Sequence, residues 1–201
     1  RAAGPPGAGP LVAPPDLPLP AALLGQARAE VPAGRAGDSE EACRAADGTP
    51  AGLGGVARAC LVSARHRSRV AKAIRGALEA GFAGVELDRP DAPLALGLLG
   101  AGFCADCQLD LARALAREYG DHFQPVDYLS LAREALAQSP GAVGFEQLPF
   151  GRDFVRLRES QLGRAVSAFA RSGRDAARAA GRPFEIAARF EALGPGQLAS
   201  C

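Results

Sequence analysis

The segment "SRVAKAIRGALEAGFAGVELDRP", Ser68 to Pro90, carries the reading on which the fold turns. Val70, Ala73, Ile74, Ala77 and Leu78 recur at helical spacing, and Gly81 stands where a helix commonly closes on a left-handed residue. "FAGVELD", Phe82 to Asp88, then reads as a strand stopped by Pro90. Upstream, "ARACLV", Ala57 to Val62, is a short apolar run between Gly54-Gly55 and Ser63 and predicts a buried strand. Strand, helix and strand in this order form a βαβ unit, which joins parallel strands.

Working outward, the C-terminal side continues the alternation. Cys104 to Tyr119 predicts a helix with Leu111, Leu115 and Tyr119 in register, Pro125 to Gln138 a second, and Arg152 to Ala180 a long third. "RPFEIAARF", Arg182 to Phe190, predicts a third strand after Gly181. Three strands with helices between them predict an α/β fold, a partial (β/α)8 TIM-type barrel with a long helical βα insertion over Arg89 to Gly151. No G-x-G-x-x-G follows a strand and no P-loop pattern occurs, which argues against the nucleotide-binding open sheets. The N-terminal side is different. Residues 1–55 are dominated by Pro, Gly and Ala and predict loop or the remainder of a preceding barrel unit, leaving 56–201 as the barrel segment.

The chain of 201 residues contains no Met, begins at Arg1 and stops at Cys201, which reads as a fragment of a longer frame. Its net charge is +1, with acids and bases interspersed, so neither nucleic acid nor an anionic membrane is an expected partner. No apolar run approaches the roughly 20 residues that span a bilayer. Five cysteines do not make a self-contained disulfide framework, and a cytoplasmic location is the expectation. Three strands cannot close a barrel, so self-association through strand edges is expected as well.

In parallel α/β folds reactive groups sit at the carboxyl ends of strands. Glu86 and Asp88 alternate onto one face of their strand, about 6.6 Å apart at the Cα positions. Asp88 is the leading candidate acid, Glu86 its support, and Glu191, just past the third strand, a possible second carboxylate; Arg89 and Arg189 would orient Asp88 or hold a substrate carboxylate. The alternative is a turn cap, with Asp88 paired to Arg89 or Arg58. Cys104-x-x-Cys107 opens a helix and offers half of a zinc site, but no second C-x-x-C or His pair completes it; Cys43 and Cys60 are scattered, and His66 and His122 isolated. A redox pair is the other reading, since Cys104 falls at a helix N-terminus, although a long loop separates it from the strand.

"ACLVSARHRSRVAKAIRGALEAGFAGVELDRPDAP" followed by "GFCADCQLDLARALAREYG" resembles a segment of (β/α)8-barrel glycoside hydrolases of the β-galactosidase type and their uncharacterised relatives. In those proteins a strand G-x-x-G-[IV]-x-x-D is followed by a loop and an aromatic-C-x-x-C that opens a helix ending in Tyr-Gly. The resemblance covers about Ala59 to Gly120. It implies a carbohydrate substrate, Asp88 in the active-site cleft, and Phe103, Cys104 and Cys107 shaping the loop over it; separately, no cofactor is expected other than a structural zinc that the Cys104-x-x-Cys107 pair could help to hold. Two alternatives stand beside the hydrolase: a non-catalytic glycan-binding or structural protein, and a metal or thiol protein centred on Cys104 and Cys107.

Overall fold

In the computed structural model, residues 27–94, 96, 99–138 and 148–190 are described. The strands are β1 (Arg28–Val31), β2 (Gly52–Leu53), β3 (Val56–Ala57), β4 (Gly84–Asp88) and β5 (Glu185–Arg189). The helices are α1 (Ala64–Glu79), α2 (Ala105–Tyr119), α3 (Tyr128–Gln138) and α4 (Gly151–Ala180).

The end of α1 shows why the chain folds locally as it does. Ser63 caps the start, its hydroxyl accepting the His66 N–H at 3.4 Å. At the far end Gly81 takes φ +94°, which lets its N–H reach Leu78 O at 3.1 Å and the Phe82 N–H reach Ala77 O at 3.1 Å. This six-to-one and five-to-two pair of bonds closes the helix and turns the chain directly into β4. The long α4 ends in the same way at Gly181 and delivers β5.

β4 lies in the centre of a three-stranded parallel sheet ordered β1-β4-β5, with Glu30 opposite Glu86 on one side and Arg189 opposite Asp88 on the other. This corrects the expectation of a partial TIM barrel. The described sheet has β1 and β5 as free edges, and α1 and α4 cover the same face; barrel closure requires every strand to have two neighbours. The strand predicted over Ala57 to Val62 is also displaced. Only Val56–Ala57 forms a strand there, paired antiparallel with β2, and Arg58 and Ala59 continue it as isolated antiparallel bridges to Arg35 and Ala42. The parallel partner of β4 is instead Arg28–Val31, from the segment read as loop.

The covered face is apolar. Val31, Val85 and Leu87 pack with Val70, Ile74 and Ala77 of α1 and Leu162, Ala165 and Phe169 of α4. Ile186 of β5 approaches Gly173 so closely that a Cβ there would stand 2.1 Å from Ile186 Cδ1. The opposite face carries Arg28, Glu30, Glu86, Asp88, Glu185 and Arg189. Parallel sheets are ordinarily covered on both faces and read as continuous apolar runs. Here Val85 and Leu87 alternate with Glu86 and Asp88, so one face of the strand is apolar and lies under the helices while the other carries acids. A second cluster joins α2, α3 and the first turns of α4, where Phe103, Tyr128 and Phe154 meet with centroids 5.1–6.2 Å apart. No helix among the described residues is long and apolar enough to cross a membrane.

Candidate metal centre

Three separate chain segments deliver four sulfurs to one place. Cys43, Cys60, Cys104 and Cys107 have their Sγ atoms all within 4.8 Å of one another, and none is in a disulfide.

The first two cysteines come from a small antiparallel arrangement. Gly54 and Gly55, with φ +59° and +77°, make the two-residue turn between β2 and β3. Beside it the Cys43 N–H donates to Arg58 O at 2.8 Å and the Cys60 N–H to Glu41 O at 2.7 Å, which fixes both cysteines on adjacent backbone. Asp38 starts this segment by accepting the Glu40 and Glu41 N–H groups at 2.9 and 3.0 Å. Glu41, buried at 2 % exposure, anchors it to α1 by accepting from Gly37 N–H at 2.7 Å and Arg69 Nε at 2.8 Å. Burial pushes the Glu41 carboxyl up, yet these donors outweigh it and hold it below the usual carboxylate range. His66 stands next to the pair, its Nδ1 3.7 Å from Glu41; burial and the Arg69 charge press its pKa down to about 4, so it is neutral at pH 7.

The second pair comes from the start of α2. Cys104 is the N-cap residue and Cys107 lies on the first turn, so the C-x-x-C spacing places both thiols on one side of the helix end. The Phe103 N–H donates to Arg44 O at 3.0 Å, tying this helix end to the Cys43 segment. Gly102 sits between them with φ +102°; its N–H points at Cys43 Sγ at 3.0 Å, and a Cβ there would lie 2.7 Å from Phe154 Cζ.

The sulfur geometry defines what the centre can hold. Cys60 Sγ lies 3.3 Å from Cys104 Sγ and 3.6 Å from Cys107 Sγ. Four thiolates on a single tetrahedral zinc, with bonds of about 2.3 Å, stand about 3.8 Å apart. The sulfurs are therefore close to the edge length of one tetrahedron, whereas a sulfide-bridged iron cluster holds its thiolates farther apart. The thiols lie within hydrogen-bond reach of one another. Cys43 and Cys104 are drawn down, chiefly by hydrogen bonds from Cys104 and Cys107 respectively, while Cys60 and Cys107 are pushed up, each chiefly by its bond to Cys104. Cys43, Cys60 and Cys107 are buried and Cys104 half-buried, so all four positions of a tetrahedron would be filled by protein.

The predicted carboxylate site lies elsewhere, at the carboxyl end of the sheet. Asp88 Oδ1 is 2.7 Å from Arg189 Nη2, Glu86 is 3.4 Å from Nη1, and Glu30 is 3.5 Å from Nη2. Arg89 also reaches Asp88, at 3.3 Å, from a backbone with φ +44°, and the Gly34 N–H donates to Asp88 O at 3.0 Å. Asp88 thus has the Arg89 contact of the turn-cap reading and the Arg189 contact of the site reading. Glu191 lies outside the described residues. Phe103 is buried in the aromatic cluster with Tyr128 and Phe154, separate from the cluster beneath β4.

Sequence reasoning found Cys104 and Cys107 and missed Cys43, Cys60 and Glu30. The available signal for the cysteines was the Gly54-Gly55 turn, which predicts that flanking segments pair and bring distant residues together. No family model matches the chain, and no curated protein or solved structure shows significant similarity to it.

Proposed function

We propose that the protein is a metal-thiolate protein in which Cys43, Cys60, Cys104 and Cys107 hold one zinc ion as a structural centre. The observation that carries this reading is the convergence of four sulfurs from three chain segments within 4.8 Å. Four protein ligands and three buried sulfurs match a closed structural site, since a catalytic zinc keeps a position open for water or substrate. A bound ion would cross-link the segment around Cys43 and Cys60 to the start of α2. Elemental analysis of the purified protein tests it directly: one zinc per chain, reduced to a small fraction in Cys60→Ser, is expected. A folded protein with less than about a tenth of an equivalent, after reconstitution with zinc, defeats the reading.

A second reading, a carbohydrate-acting hydrolase, is favoured by the convergence of Glu30, Glu86 and Asp88 on Arg189 at the carboxyl ends of parallel strands. In it Asp88 is the acid at the glycosidic oxygen and a neighbouring carboxylate the base or nucleophile. Turnover of aryl glycosides that disappears in Asp88→Asn with folding intact supports it; absence of turnover across a broad sugar panel removes it.

A further inference from the structure

We propose that Arg158 is the charge partner of the four-thiolate centre and sets its metal affinity, an inference that rests on the metal reading above. Four thiolates around a divalent ion leave a net charge of −2, and burying such a charge is costly unless an opposite charge is buried with it.

Arg158 is placed to supply that charge. It is only 7 % exposed, although it projects from the N-terminal third of the long α4. Its Nη2 donates to Pro93 O, and its guanidinium carbon lies 5.7 Å from the Phe154 ring centroid. Together with Cys43, Cys107 and Gly102 it lines one narrow cavity beneath the thiol cluster. Gly102 connects the two directly: its N–H points at Cys43 Sγ at 3.0 Å, while the place of its missing Cβ is 3.3 Å from Arg158 Cδ. Burial presses against the guanidinium's charge, and an anionic centre at the neighbouring Cys43 and Cys107 sulfurs would offset that cost.

Arg158 is thus a positioning residue that acts through the sulfurs without ligating the ion. The arrangement also explains why this arginine is buried while Arg156 and Arg164, more exposed on the same helix, pair with Glu118 and Asp110 of α2.

The test uses the full chain with Arg158→Met, Arg158→Gln and Arg158→Lys, and reads zinc affinity by competition with a chromophoric chelator. The two neutral variants should bind zinc at least about tenfold more weakly, and Lys should recover most of the loss, as expected for removal and return of a buried charge. Cobalt-substituted samples should keep the same tetrahedral thiolate absorption, because the ligands are unchanged. If Met does not fold, Gln, which keeps a donor for Pro93 O, decides. Neutral variants within twofold of wild type overturn the proposal, as does a Lys variant as weak as Met. Failure of the wild type to bind zinc is a different result: it removes the metal reading itself.

Discussion

The sheet layer around Val85 and Leu87 and the loop layer around the four cysteines are held by different forces. In the first, Val70, Ile74 and Phe169 press side chains that are 0–1 % exposed against β4, and apolar burial carries the stability. In the second, the buried residues beside the cysteines are two alanines, Ala51 and Ala101, with Val62 and Leu96 only partly buried against them, so less apolar area is covered. A segment built from Gly, Ala and short turns has little apolar burial to offset its backbone entropy, and under the proposed metal reading a cross-link through the thiolates would supply what small side chains do not. A large covered face therefore makes a fold self-sufficient, and a sparse one makes it depend on a ligand.

The sharpest way to break this contrast is to load the protein with zinc and then strip it. Zinc removal by a strong chelator, or Cys107→Ser, is expected to lower the thermal midpoint by on the order of 10 °C or more, with proteolytic nicking appearing first within 38–62. An unchanged midpoint in calorimetry would place the loop layer on the same footing as the sheet. Phe169→Ala should act on the other side of the comparison. It is expected to cost about 3–5 kcal/mol in denaturant unfolding while the zinc content of the folded fraction stays at wild-type level; parallel loss of zinc would show that the two layers are not separable.

A third, smaller effect concerns pH. His66 has a folded pKa of about 4, below its unfolded value of 6.5, so the unfolded chain binds the proton first as pH falls. Stability from this residue is whole above pH 6.5 and declines down to about pH 4. The loss should reach about 2–3 kcal/mol in wild type and be absent from His66→Gln, measured by unfolding at fixed ionic strength. Identical pH slopes would mean that Glu41 and Arg69 already hold the site whatever His66 does. Smallest is Arg28→Ala, which breaks an ion pair with Glu185 across the open sheet face. Both partners are more than half exposed or close to it, at 50 % and 68 %, and a change below about 0.5 kcal/mol is expected. A larger value would show that the open face contributes to the sheet.

What was legible in the sequence follows the range of the interactions. α1, its Gly81 stop and β4 are set by periodicity and a six-residue bond pattern, and their reading matches the structure. α2 and α4 were visible for the same reason. β1 was not, because Arg28–Val31 is four residues long, surrounded by Pro and Gly, and extended only through its pairing with β4. The barrel expectation failed at the same point: strand count and alternation describe a parallel sheet, but closure is a property of edges, which no local pattern records. Cys104-x-x-Cys107 was visible as a pair, whereas Cys43 and Cys60 reach it only after the hairpin folds. Arg158 looked like any helical arginine until packing showed which side of α4 it occupies.

That helix has a further consequence. Its 30 residues pass in turn through the aromatic cluster at Phe154, the cavity under the thiols at Arg158 and Gln161, and the sheet core at Leu162, Ala165 and Phe169. A helix of this length is about 45 Å long, and its middle turns cannot open without releasing all three neighbourhoods at once. The amide hydrogens between 157 and 166 should then exchange with solvent only when the whole molecule opens, and so serve as a clock for global unfolding that the frayed ends of the same helix cannot provide.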